Sequence, residues 1–447
     1  MNIGLLAMSG VRAHDKDLMA FGLTLPGFVD RSKVIASLPS LGLLYLAAVT
    51  PPEHCVRYYE AEGVGKEPQE LNACDLVAIS SFSAQIFEAY AIADRLRARG
   101  ILVAIGGLHA TAMPDEALAH ADFVIVGEGE HTWPAVVAAA AKGERGVIFR
   151  SRDFPPVDVA RLPIPRYELL DARPYNRFTV QATRGCPWRC DFCASTVMLS
   201  EKYRKRPVHH VIRDIEAILR VRPHAYVEFA DDNTFVDKQW GKELCTALRP
   251  LGIKWFTETD VTVAEDEELL ELMHRAGCRQ VLVGLESPLR GPLEGIELHA
   301  NRKAHWSPRY GDAVERIQSH GITVNGCFVL GLDGQDKSAV PEILDFAMTH
   351  GLYDVQVTVL TAFPGTPLYT RLLKEGRILQ PGRWELCTLF DVNFQPNPLT
   401  PDELRQGLYW LADRLYNAEA TRQRRKKFYE QWRKGHGAKA VGMEVAG

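Results

Sequence analysis

Three of the chain's nine cysteines crowd into one stretch, Thr183-Arg184-Gly185-Cys186-Pro187-Trp188-Arg189-Cys190-Asp191-Phe192-Cys193, with the spacing CxxxCxxC. Three thiolates from one short loop can ligate three irons of a cubane cluster and leave the fourth iron open to a substrate. A structural cubane normally takes four cysteines. A zinc site usually takes four protein ligands in CxxC pairs, and no histidine lies between Phe178 and Pro207. Cys186, Cys190 and Cys193 are therefore the candidate metal ligands and catalytic residues. The other six, Cys55, Cys74, Cys245, Cys278, Cys327 and Cys387, show no ligand spacing, and several fall in apolar runs where a thiol is a small hydrophobe. No auxiliary cluster is expected among them, and Cys327 is the outlying thiol expected to face a cavity.

A reactive loop needs a scaffold, and the pattern around it predicts an α/β one. Residues 1–150 alternate short apolar runs with amphipathic helical stretches, as a doubly wound parallel sheet requires. Strands are predicted at Ile3–Ala7, Val56–Glu60, Leu76–Ser80, Leu102–Ile105, Phe123–Val126 and, more weakly, Val147–Phe149. The proline-rich stretch 151–175 is predicted to be a linker laid over the surface. From 176 to 375 the alternation restarts, with strands predicted at Phe178–Ala182, Ala225–Ala230, Ile253–Glu258, Gln280–Leu285, Thr323–Leu330 and Asp354–Leu360. Six such units imply a partial parallel barrel, whose reactive site lies at the carboxyl ends of its strands. The helix after the first strand carries Val208, Val211, Ile212, Ile215, Ile218 and Leu219 on one stripe, as a crossover helix must. Residues 376–447 read as a helical extension ending in a basic, aromatic tail.

Composition narrows the class further. A length of 447 residues exceeds what one hydrophobic core sustains, and 46% hydrophobic with 24% charged residues excludes a disordered chain or a small disulfide scaffold. With 52 Lys and Arg against 56 Asp and Glu, the net charge of -4 sets up no global field for nucleic acid. No apolar run approaches a membrane span and no secretory leader is evident, so a cytoplasmic protein is expected.

The cysteine loop after a first barrel strand, the aromatic Phe192 before the last cysteine, and the six units that follow resemble the radical S-adenosylmethionine (radical SAM) superfamily. The resemblance implies a [4Fe-4S] cluster on Cys186, Cys190 and Cys193, with S-adenosylmethionine held by its amino and carboxylate groups on the open iron. Reductive cleavage of the sulfonium then yields a 5'-deoxyadenosyl radical, with the electron from an external reductant such as flavodoxin or ferredoxin. In Glu228-Phe229-Ala230-Asp231-Asp232-Asn233, where many members carry Gly-Gly-Glu, Asp231 or Asp232 is expected to meet the cofactor's ammonium group. Glu286, in Gly284-Leu285-Glu286-Ser287, is expected to be a further polar anchor, and Gly331 a point of backbone approach to the adenosine.

The N-terminal half resembles the cobalamin-binding domain of one large class within that superfamily. The match rests on Leu38 to Ala47, which includes Leu41, on Ile79-Ser80-Ser81-Phe82-Ser83, on Gly106-Gly107-Leu108-His109-Ala110-Thr111 and on Val126-Gly127-Glu128-Gly129-Glu130. Paired glycines admit a flat macrocycle or its nucleotide tail, and Ser80, Ser81 and Thr111 offer small hydrogen-bonding groups. No histidine sits in an Asp-x-His-x-x-Gly pattern, so a cobalamin without a histidine ligand is implied. The resemblance points to a cobalamin-dependent radical SAM methyltransferase acting on an unactivated carbon of a small-molecule or lipid-like substrate. A radical cyclisation, rearrangement or carbon-carbon coupling without methyl transfer is the enzymatic alternative, and a non-catalytic cobalamin-binding sensor the alternative of another class. The long connection Pro288 to Pro308 is expected to shape substrate specificity. The basic tail is read as a solvated helix face, with an anionic or lipid surface as the rival.

Overall fold

A computed structural model describes residues 1–8, 10, 13–15, 38–61, 63–200 and 202–436 of the chain. Parts of the spans 1–150 and 376–447 therefore lie outside the described residues. In the N-terminal half, six strands form one all-parallel sheet in the order β2-β1-β3-β4-β5-β6. They are β1 (Asn2–Met8), β2 (Cys55–Ala61), β3 (Leu76–Ser80), β4 (Leu102–Gly106), β5 (Phe123–Val126) and β6 (Val147–Arg150). Their side chains alternate between two cores. Leu5, Ala7 and Ala78 pack with Trp133 and Val136 on one face, while Leu6, Ile79, Val103 and Ile105 pack with Ile86, Ala89 and Tyr90 on the other. Strand order reverses at β1, the switch point where such sheets open a crevice beyond the strand ends.

The second sheet is also all-parallel, ordered β14-β13-β12-β11-β10-β7. It contains β7 (Phe178–Val180), β10 (Tyr226–Phe229), β11 (Lys254–Thr259), β12 (Cys278–Glu286), β13 (Thr323–Leu330) and β14 (Asp354–Val359). Connecting helices cover its outer side, and the stripe of the helix Val208–Val221 buries Val211, Ile215 and Ile218. The strand predicted at Phe178–Ala182 breaks after Val180. Its continuation, β8 (Thr183–Arg184), leaves the sheet and pairs antiparallel with β9 (Arg204–Lys205), closing an excursion that carries all three clustered cysteines.

The linker runs over the surface but is fastened to it. Val157, Val159 and Leu162 bury against Tyr45, and the Tyr167 hydroxyl donates to the Thr179 carbonyl at 2.8 Å. At the C-terminal end, a capping box of Thr400 and Glu403 starts the helix Pro401–Tyr416, which packs Leu404, Leu408, Leu411 and Leu415 inward. The following helix, Ala418–His436, is more than a solvated basic face. Arg424 is buried, donating to the carbonyls of Leu352 at 3.1 Å and Leu415 at 2.6 Å, and Phe428 is buried beside it. Packing against the barrel gives one side of the basic stretch partners that a sequence pattern does not display.

Candidate cofactor site

The cysteine excursion is anchored at its neck by two adjacent carboxylates after β10. Asp231, fully buried, accepts from the backbone N–H groups of Ala182 at 2.8 Å and Thr183 at 3.0 Å and from the Thr234 hydroxyl at 2.8 Å. Burial pushes its carboxyl up to about 6 against the pull of those donors. Asp232 accepts from the N–H of Gly185 at 2.8 Å and from the Ser195 hydroxyl, so it spans the loop on both sides of the cysteines. At Gly185, with φ of 84°, a Cβ would stand 2.6 Å from the Lys202 carbonyl oxygen; only glycine lets the two limbs cross so closely.

Beneath the loop, Asp260 at the end of β11 gathers three partners on one oxygen. The Trp188 indole N–H donates at 2.9 Å, the Asn233 amide at 3.0 Å, and the Arg302 guanidinium lies at 3.3 Å. Arg302 also stacks over the Trp188 ring, 3.6 Å from its centroid. Burial works against the Asp260 charge, but donors from Thr262 and Asn233 and the charge of Arg302 hold its carboxyl below the usual range. On its other side the loop is braced by the long connection after β12. Cys190 pairs with Glu297 as an antiparallel bridge, the Asp191 N–H donates to the Ile296 carbonyl at 2.8 Å, and that of Leu298 to the Arg189 carbonyl at 3.1 Å. The stretch 288–308 thus braces the cysteine loop through its backbone, a contact separate from the specificity role expected of it.

The three thiols share one electrostatic neighbourhood, since Cys193 acts on both Cys186 and Cys190. Burial pushes the Cys186 thiol up to about 11 and that of Cys190 higher, with Lys303 opposing it at Cys190. Thiols held protonated by burial become ligands when a metal displaces the proton. Among the described residues no three His, Cys, Asp or Glu side chains converge on a point as a single-ion site requires. A cubane takes one thiolate per iron. Three thiols on one loop, clustered without a fourth, fit that donor set.

Glu286 ends β12 at a bulge, with φ of 61°, and its carboxylate meets the Lys303 ammonium at 2.9 Å. Lys303 also donates to the Gly284 carbonyl at 2.6 Å. Nearby, Arg177 pairs with Glu228 at 2.6 Å. Glu258 on β11 has no cation: its carboxyl makes no ion pair or hydrogen bond among the described residues, and burial, then Glu228, Asp232, Asp231 and Glu286, push it up to about 8. Cys327 stands within the field of Glu286 and Glu258.

The two sheets meet at a cavity of about 300 Å³. Its N-terminal wall comes from the strand ends and the helix Leu41–Val49, including Leu41, Ser80, Gly106, Gly107, Gly127 and Glu128; its far wall includes Gln181, Ser195, Leu199 and Asp232 of the barrel. Gly42 also lines it, with no described atom within 4 Å of where a Cβ would stand, so bare backbone faces the space. This small-residue floor of Leu41, Gly42, Ser80 and the paired glycines has the flat, side-chain-poor character that the face of a corrinoid requires.

The remaining candidates lie one layer back. Ser81 is buried, and its carbonyl oxygen would stand 2.8 Å from a Cβ on Gly107. The Thr111 hydroxyl accepts from the Gly127 N–H at 3.0 Å and so shapes the glycine turn. His109 is buried between Ser83 at 3.0 Å and Glu116 at 3.2 Å, and Glu116 accepts from the Trp384 indole at 3.0 Å. Phe192 packs on the barrel core. At Gly331, φ of 96°, a Cβ would meet the ring of Phe394 at 3.0 Å and Leu404 at 3.1 Å, so its close approach is to the C-terminal segment.

Glu128 lines the cavity but is already engaged: Arg184 lies at 2.8 Å, with Arg204 beside it, and Arg184 also reaches Glu130 at 2.6 Å. This largely buried network ties the two domains together. Sequence reading missed it, together with the Asp260–Arg302 contact and Lys303 as the partner of Glu286. A carboxylate at the carboxyl end of a barrel strand is the signal that could have found Asp260.

Fold and site define a class: an α/β cofactor-binding domain set over a partial barrel whose first strand ends in a cluster-type cysteine loop. A profile of the radical SAM superfamily matches residues 180–347, one of the B12 binding domain matches 30–137, and a domain of unknown function matches 366–445. An uncharacterized methyltransferase of Synechocystis sp. is 30% identical over 392 residues, 85% of this chain and 72% of that protein. The bacteriochlorophyllide d C-12(1)-methyltransferase of Chlorobaculum tepidum is 26% identical over 87% of this chain and 84% of that one. The fold matches the radical SAM methyltransferase TsrM from Kitasatospora setae, solved with cobalamin and a [4Fe-4S] cluster, at a TM-score of 0.65 and 14% identity, covering 93% of this chain and 89% of that one. The chain belongs to the radical SAM superfamily, among the enzymes that carry an N-terminal cobalamin-binding domain.

Proposed function

We propose that this enzyme is a cobalamin-dependent radical SAM methyltransferase that methylates an unactivated carbon of a small-molecule or lipid-like substrate in the cytoplasm, with electrons from flavodoxin or ferredoxin. The observation that carries the reading is the shared cavity, in which the glycine and serine floor of one domain faces the residues that flank and anchor the cysteine loop of the other, Arg184, Ser195 and Asp232. No helix among the described residues is long and apolar enough to cross a membrane.

In this reading Cys186, Cys190 and Cys193 hold the [4Fe-4S] cluster, and Gly42, Ser80, Gly106, Gly107 and Gly127 hold cobalamin. When bound, the cluster and S-adenosylmethionine supply the radical and cobalamin carries the methyl group. The chain's own residues have three tasks. Asp231 and Asp232 fix the neck of the loop, and Asp260 with Trp188 and Arg302 fixes its underside, so the thiols are held before any metal arrives. Lys303, kept charged by Glu286, places a cation beside Cys190 and eases formation of its thiolate. Glu128, Glu130, Arg184 and Arg204 keep the two halves closed over the cavity, which excludes water from radical chemistry.

The test is anaerobic purification, reconstitution with iron and sulfide, and assay for bound cobalamin, for 5'-deoxyadenosine, and for transfer of an isotopically labelled methyl group from S-adenosylmethionine to cobalamin. All three are expected. Cleavage without cobalamin or methyl transfer would instead leave a radical enzyme with a vestigial N-terminal domain.

A further inference from the structure

At the opposite end of the barrel from the cysteine loop lies a second cavity, of about 720 Å³. Its walls are the amino ends of the strands, at Tyr226, Arg279, Gln280, Thr323 and Asp354, together with the last turns of the preceding helices and one side of the helix Ala418–His436. Four arginines line it: Arg249, Arg275, Arg279 and Arg425. Asp354 is the acidic side chain among the lining residues, and its charge is already taken. One oxygen accepts from Gln280 at 2.8 Å and the other lies 3.3 Å from Arg425. Arg275 is paired with Glu271 at 2.6 Å, an exposed contact of small worth that a stronger acceptor displaces. Arg249 and Arg279 make no ion pair or side-chain hydrogen bond among the described residues, and Arg279 is half-buried.

The positions of Arg249 and Arg275 at helix ends satisfy the helix dipoles. That leaves Arg279, on the strand β12, without such a reason. Beside the arginines stand aromatic rings, with Tyr353, Tyr429 and Trp432 presented from the barrel and the C-terminal helix. The wall is closely built. At Gly321 a Cβ would stand 2.8 Å from the Trp432 indole nitrogen and 2.9 Å from the His274 ring, so glycine is what lets both rings close against the strand. Guanidinium groups match phosphate oxygens in geometry and charge, and aromatic faces take a planar base with little sequence of contacts required.

We propose that this cavity is a binding site for a nucleoside di- or triphosphate, with Arg249, Arg275 and Arg279 on the phosphates and Tyr429 and Trp432 against the base. The site goes beyond the methyltransferase reading and is spatially independent of it. Its occupant would brace the C-terminal helix against the amino ends of strands whose opposite, carboxyl ends carry the catalytic loops.

The experiment is calorimetric titration of the full-length, cluster-loaded protein with ADP, with saturating S-adenosylmethionine present so that the adenosine site of the reaction is filled. Pyrophosphate and adenosine are titrated as the two halves of the probe. Saturable one-to-one binding of ADP, tighter than that of pyrophosphate, is expected. The double variant Arg249→Ala with Arg279→Ala is expected to weaken it at least about tenfold, as lost charge-assisted hydrogen bonds do. Tyr429→Ala should weaken ADP and leave pyrophosphate unchanged. Cobalamin content and circular dichroism of the variants report whether they are folded, and both are expected to match the parent. The proposal is overturned if ADP shows no saturation, if the folded arginine variant binds it equally well, if pyrophosphate binds as tightly as ADP, or if vesicles of phosphatidylglycerol, and not ADP, bind in an arginine-dependent way.

Discussion

The two halves of this enzyme are each a six-stranded parallel sheet with its functional end at the strand carboxyl termini, yet they equip those ends in opposite ways. The N-terminal half offers backbone: Gly42 on the helix Leu41–Val49, and Gly106, Gly107 and Gly127 at the strand ends, with Ser80 among them. The barrel offers charged side chains: Asp231, Asp232 and Asp260 hold the cysteine loop, and the Glu286–Lys303 pair places its charges beside Cys190. The difference follows from what each end must hold. A broad flat ligand needs a surface from which side chains have been removed, whereas three thiols proposed to meet three separate metals need a loop that cannot wander.

The comparison can be broken most sharply at the thiols. Cys190→Ala is expected to abolish cluster content and 5'-deoxyadenosine formation while cobalamin stays bound, measured by iron, sulfide and cobalt analysis of one preparation. Loss of cobalamin as well would mean the two ends do not act separately. Next in size is Asp231→Ala, which strips two buried backbone N–H groups of their acceptor and should cost about 3 kcal/mol in urea unfolding. Gly42→Val tests the other end: it should lower cobalamin affinity roughly tenfold, about 1.4 kcal/mol, with a much smaller change in stability, because nothing in the described structure obstructs the new side chain.

Two carboxylates sharpen the contrast through pH, with opposite signs. At Glu128 burial alone would raise the pKa, but Arg204 and Arg184 hold it below 4.5. Its contribution is therefore fully present above the ordinary value and is lost as pH falls through the depressed one. Glu128→Gln should flatten the acid limb of the Tm-against-pH curve below about pH 4.5. Glu258 is raised to about 8, so the unfolded chain releases its proton first and stability declines from about pH 4.5 up to about pH 8. Glu258→Gln should remove that decline, gaining on the parent across this window and levelling off above it. A parallel pair of curves would show that Glu258 finds a cation in solution.

Much of this architecture was readable in advance. The predicted strands at Leu76–Ser80, Phe123–Val126 and Thr323–Leu330 are observed with the same ends, because buried parallel strands are short apolar runs bounded by polar turns. The break after Val180 was not readable, since Gln181 and Ala182 continue a strand-like run and the groups that hold the chain out of the sheet are distant in sequence: the Asp231 carboxylate, 49 residues downstream of Ala182, and the strand β9. Gly331 and His109 looked like ligand contacts because glycine and histidine mark sites; their surroundings are Phe394 and Leu404 in one case and Glu116 and Ser83 in the other. Glu128 stands between the glycines of Gly127-Glu128-Gly129 and lines the cavity, and its charged partners come from 56 and 76 residues away.

What the sequence determined by itself was local in nature: three thiols on one loop, a period of alternating strands and helices, and glycines at strand ends. Each depends on neighbours in the chain, so spacing suffices to express it. What only the tertiary structure decided was which charges meet. Arg184 with Glu128, Arg302 with Asp260, and Lys303 with Glu286 are pairings across elements, and a carboxylate's role depends on whether a cation stands within a few ångströms of it.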